Sequence, residues 1–93
     1  MVWVNENRQT GQFIVTAKFR IKPETYRLMK DAQRQGKLSL VFDIYQWKEF
    51  HYASYTAKCI TTISQNQLRD FKIQTQLRLS KLCDQYDSMA HKL

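Results

Sequence analysis

Two sets of side chains in this sequence are of types that could act on a polyanion. Lys18, Arg20 and Lys22 recur at every second position, and Tyr45, Trp47 and Tyr52 fall in a stretch crowded with aromatics. Cations in such a row meet phosphates, and flat rings give unpaired bases a plane to stack on. The stretch Phe42 to Tyr55 also holds Phe50 and so carries half of the chain's aromatic residues. If the chain folds back between Glu49 and Phe50, alternation sends Tyr45, Trp47, Tyr52 and Lys58 to one side and Phe42, Ile44 and Tyr55 to the other. No RNP-type sequence and no GXXG loop accompanies these residues, so a surface carries the reading and not a motif. The same aromatics also suit plain cross-strand packing or a face covered by a partner.

Catalytic chemistry finds little to work with. His51 lies beside Glu49, which could orient an imidazole, but no nucleophile or oxyanion donor stands at a recognisable spacing. His91 falls near the chain end. Cys59 and Cys83 sit at expected buried positions, without the electropositive setting of a reactive thiol. They form no CxxC pair and have no His at ligand spacing, so no metal site and no cofactor is expected. The expectation is a protein that is not an enzyme.

The elements that would position the sheet residues can be read from periodicity. Val2–Val4 reads as a short strand, with a polar loop from Asn5 to Gly11. Phe13, Val15, Ala17, Phe19 and Ile21 then alternate with Ile14, Thr16, Lys18, Arg20 and Lys22, the pattern of a half-buried strand with a basic outer face. Pro23 suits the first position of a helix that Gly36 would cap, predicting a helix from about Pro23 to Gln35. A second strand pair follows, with Leu38, Leu40, Phe42 and Ile44 inward and the turn after Trp47. Its register sets Trp47 opposite Tyr52, Phe42 opposite Ala57 and Leu40 opposite Cys59.

Ser64 and Gln67 form a capping-box pattern ahead of a long helical run without Gly or Pro. Leu68, Phe71, Thr75, Leu79, Leu82, Cys83, Tyr86, Met89 and Ala90 lie on one stripe of it. A helix from Gln65 to about Ala90 would run roughly 39 Å, against a radius of gyration near 13 Å for a globule of this size. It should overhang the sheet, bend or meet another chain. Ile73 and Leu77 fall on the opposite side of it.

The chain has 93 residues, enough for one domain (1–93), and its 43% apolar content suits a globular core. The expected fold is α+β: an antiparallel three- to four-stranded sheet, order β-β-α-β-β-α, with a short helix and a long C-terminal helix packed on one face. Lys and Arg outnumber Asp and Glu by fifteen to eight, giving a net charge of +7. That excess favours nucleic acid or another polyanion as partner. No apolar run approaches the roughly 18 residues of a membrane span, and the N-terminal residues lack a secretory pattern, which suggests a cytoplasmic protein without membrane contact.

Together these features predict a small basic nucleic-acid-binding protein with an exposed aromatic and basic sheet face. Its ligand would be single-stranded RNA or DNA, bound with weak sequence preference by Lys18, Arg20, Lys22, Tyr45, Trp47, Tyr52 and Lys58. The alternative is a protein-interaction module, a regulatory or assembly subunit. It would form a homodimer or dock on a partner through Ile73, Leu77, Leu82, Tyr86 and Met89.

Overall fold

The structure, a computed structural model, describes residues 2–9, 12–59 and 64–92. Its strands are Val2–Gln9 (β1), Gln12–Ile21 (β2), Phe42–Trp47 (β3) and Phe50–Cys59 (β4). The helices are Pro23–Arg34 (α1), between β2 and β3, and Gln65–His91 (α2), after β4. The class is α+β. Strands β2, β4 and β3 lie side by side in that order, all antiparallel, and the β1 backbone runs antiparallel along the other side of β2. In β1 the pairing continues through Asn5 to Gln9, where the sequence predicts a loop. Ladder hydrogen bonds hold a segment whose residues alone are poor strand formers. Thr10 and Gly11, the end of that predicted loop, lie outside the described residues.

Both helices pack on one face of the sheet, α1 over β3 and β4 and α2 across β1, β2 and β4. The core joins Ala17, Ile21, Phe42, Ile44 and Ala53 of the sheet to Met29 and Ala32 of α1 and Leu79, Cys83 and Tyr86 of α2. Pro23 opens α1 at a position whose N–H has no helical partner anyway. The helix ends in a Schellman motif: Gly36 N–H donates to the Gln33 carbonyl and Lys37 N–H to that of Ala32. Gly36 has φ +74°, a left-handed conformation that glycine enters without steric cost.

That motif redirects the chain and corrects one expectation. Leu38 drops into the core, but a turn closed by Phe42 N–H on the Ser39 carbonyl swings Leu40 out, and β3 begins only at Phe42. Leu40 therefore faces solvent instead of pairing with Cys59, whose side chain is outside the described set.

The hairpin register also differs from the predicted one. Trp47 pairs with Phe50, Tyr45 with Tyr52 and Phe42 with Tyr55 across a two-residue loop, Lys48–Glu49. Lys48 adopts φ +57°, the positive value that a tight hairpin turn requires at its first central residue. The shift is two residues, so every side chain keeps its face while every partner changes.

Helix α2 starts from the expected capping box: Gln67 N–H donates to Ser64 Oγ and Ser64 N–H to Gln67 Oε1. Its buried side chains run from Leu68 to Tyr86, leaving the last turn beyond the core. The molecule is correspondingly elongated, 45 × 26 × 21 Å, with a radius of gyration of 14.3 Å. Among the described residues, no helix is long and apolar enough to cross a membrane.

Candidate functional site

Among the described residues, no helix packs on the second face of the sheet. It gathers Lys18 and Arg20 from β2, Tyr45 and Trp47 from β3, and Phe50, Tyr52 and Lys58 from β4, because alternation along each strand turns these residues away from the helices. Tyr45 and Tyr52 face one another across the hairpin, ring centroids 5.5 Å apart and planes 27° from parallel. The Lys18 ammonium lies 4.2 Å from the Tyr52 centroid and 5.6 Å from that of Tyr45. Arg20 stands 3.7 Å over the Phe50 ring, and Lys48 4.5 Å over Trp47. The aromatic end of this face is thus a row of rings with a cation resting on each part of it.

These contacts sort the predicted residues. Tyr52 is only 7% exposed, so its ring is a floor beneath Lys18 and Tyr45 and not a free stacking plane. Tyr45 is half-buried. Trp47 remains 55% exposed and stands next to Phe50 at the turn end of the hairpin. Lys22 leaves the sheet: it is the N-cap residue of α1 and borders a small groove with Glu24, Asp87, Ala90 and His91. Lys58 shares the face, but it lies eight steps along the strand from Phe50, roughly 26 Å. Between them Thr16 and Thr56 are hydrogen-bonded at 3.1 Å, and Asp43 adds one carboxylate. Phe50 and Lys48 join the cluster although the sequence reading left them out. Their signal was the pair Lys48–Glu49, which is polar enough to be the whole turn.

Energetics favour Trp47 and Phe50 as the working rings. A cation over an exposed ring is worth about 0.5–1 kcal/mol. A base stacked on an aromatic is worth about 1–3 kcal/mol, and the displaced Lys or Arg can turn to a phosphate. At Tyr52 the same exchange would have to open a closed layer.

The residues assigned to a partner interface do not form one patch. Ile73 and Leu77, 45% and 43% exposed, sit one turn apart on the outer side of α2. Tyr86 is buried in the chain's own core, and Leu82 packs against that core. Met89 is exposed but lies well round the helix from Ile73.

His51 is a residue of β4, and its ring tilts against Tyr26 of α1 at 4.6 Å on the helix-covered side. Cys83 is fully buried, and burial, with the nearby Asp87 and Asp84 carboxylates adding to it, pushes its thiol up to about 12. A thiol held neutral in this way is a poor nucleophile. On the helix side, Arg78 donates to Tyr55 Oη at 2.9 Å and its guanidinium lies 4.9 Å from the same ring, tying α2 to β4.

No protein-family model, no curated protein and no solved structure matches this chain.

Proposed function

We propose that this protein is a non-enzymatic binder of single-stranded nucleic acid, with little sequence preference, acting through the open face of its sheet in the cytoplasm. The observation that carries the reading is the row of cation-capped aromatic rings on a face that neither α1 nor α2 covers. Trp47 and Phe50 take the bases. Lys18, Arg20 and Lys48 exchange ring contacts for phosphate contacts, with Lys58 meeting the strand further along. Tyr45 and Tyr52 hold the platform rigid. Because a π-face is common to all bases, such a surface does not discriminate strongly among sequences.

The test is fluorescence anisotropy with labelled oligo-uridine, oligo-thymidine and a duplex, at low and moderate salt. Trp47→Ala should weaken single-strand binding about tenfold, which corresponds to one stacked base. Lys58→Ala should lower the salt slope by about 0.7. Equal binding by Trp47→Ala and wild type, or binding of all three probes that disappears at moderate salt, would leave only non-specific attraction to +7 and end the proposal.

A second reading rests on the exposed pair Ile73 and Leu77, which fits a module that docks or dimerises through α2. Light scattering decides its self-association form. A dimer that Leu77→Asp dissociates would favour it, and a monomeric wild type would remove it.

A further inference from the structure

A second surface lies along α1, apart from the aromatic and basic face of the sheet. Tyr26, Arg27, Lys30, Gln33, Arg34 and Leu40 line a groove of about 560 Å³ along α1 and the loop that follows it. The loop is held in place: Gln33 Nε2 donates to the Phe42 carbonyl at 2.7 Å and the Ser39 carbonyl at 3.2 Å. Val41 N–H donates to Ser39 Oγ, fixing the tip. These bonds hold Leu40 at 81% and Val41 at 57% exposure, the two most exposed large apolar side chains among the described residues. Arg34 is paired with Asp31, whereas Arg27 and Lys30 have no ion pair among the described residues. The groove therefore combines aliphatic surface that gains from leaving water with two uncompensated cations.

That combination selects a class of partner. Nucleic acid would satisfy Arg27 and Lys30, but Leu40 and Val41 offer bases no π-face, and the half-buried Tyr26 ring is already packed against His51. A purely apolar partner would bury two charges at a cost. We infer that this groove is a docking site for an acidic peptide segment of a partner protein, with an apolar side chain seated on Tyr26 and Leu40 and carboxylates on Arg27 and Lys30. The site is independent of the sheet face and would leave it free for its own ligand.

The experiment uses the full chain and a fluorescein-labelled peptide of Glu, Asp and Leu. The controls are a poly-Glu peptide of equal charge without Leu, and labelled oligo-uridine. The Leu-containing peptide should bind at least about tenfold more tightly than poly-Glu. Leu40→Ser and Arg27→Glu should each abolish most of that binding, while Trp47→Ala leaves it unchanged. All three side chains are exposed, and circular dichroism of each variant checks that the fold is intact. Equal affinity for poly-Glu, or no binding of the Leu-containing peptide, would overturn the assignment. So would oligo-uridine binding lost in Leu40→Ser, which would give the groove to nucleic acid.

Discussion

The contact whose removal is most informative joins the start of α1 to the end of α2. Thr25, the third residue of α1 and fully buried, donates its hydroxyl to Asp87 Oδ1. The two ways of breaking this bond have unequal costs. Thr25→Val preserves shape and so opens no cavity. It removes a charge-assisted bond worth about 1.5–3 kcal/mol but also the burden of a buried hydroxyl. Asp87 is only half-buried and can turn to water, so the net loss should be about 1 kcal/mol. Asp87→Ala leaves the Thr25 hydroxyl fully buried without that acceptor, a cost of about 2 kcal/mol. The double variant should resemble Thr25→Val alone, which gives a coupling of about 2 kcal/mol between the sites.

Urea denaturation followed by circular dichroism reads these differences as midpoint shifts at constant m. Thermal melts should show Asp87→Ala lower by roughly 8–16 °C, since 1 kcal/mol is roughly 4–8 °C for a domain of this size. Strict additivity of the two changes, or a larger loss from Thr25→Val than from Asp87→Ala, would refute the reasoning.

Three further outcomes follow from the geometry. Lys48→Gly should stabilise the fold by about 0.5 kcal/mol, because relief of a positive-φ side chain outweighs its exposed contact with Trp47; a lower urea midpoint would contradict this. Tyr52→Ala should cost about 3 kcal/mol and Trp47→Ala less than about 0.5 kcal/mol in the same assay, reversing their expected equivalence as surface residues. For Cys83 the folded thiol titrates above its ordinary 9.0, at about 12, so its stabilising effect is complete below pH 9 and is lost as pH rises through about 12. Mass spectrometry should find the Cys83 peptide unmodified by iodoacetamide in the native protein at pH 8 and alkylated in urea.

Much of the fold was legible where one residue type decides. The alternation from Phe13 to Lys22 identified β2 and its faces, and Pro23, Gly36 and the Ser64–Gln67 box placed the helix ends. Misreadings came where partners decide. Polar Asn5 to Gln9 reads as loop until β2 supplies its hydrogen bonds. Leu40 continues an apolar alternation that a turn at Ser39 interrupts. Face membership in the hairpin survived the wrong register because parity is insensitive to a two-residue slip. Exposure did not, since whether Tyr52 is open depends on Lys18, a residue three elements away in the chain.

The strand order has a last consequence. Two hairpins, β1–β2 and β3–β4, are local in sequence, but the sheet closes through β2 and β4, where Phe13 meets Cys59. The aromatic and basic face straddles that seam: its rings come from one hairpin, and Lys18 and Arg20, which lie over Tyr52 and Phe50, come from the other. Neither hairpin holds the surface by itself. A peptide spanning Phe42–Cys59 would carry Tyr45, Trp47 and Tyr52 with Lys48 and Lys58 but without Lys18 and Arg20, and a chain with both hairpins formed but undocked would leave Tyr52 and Phe50 without the cations that cover them. The face is thus a property of the complete tertiary fold, which cannot be grafted out as a segment and which vanishes with the first event that parts β2 from β4.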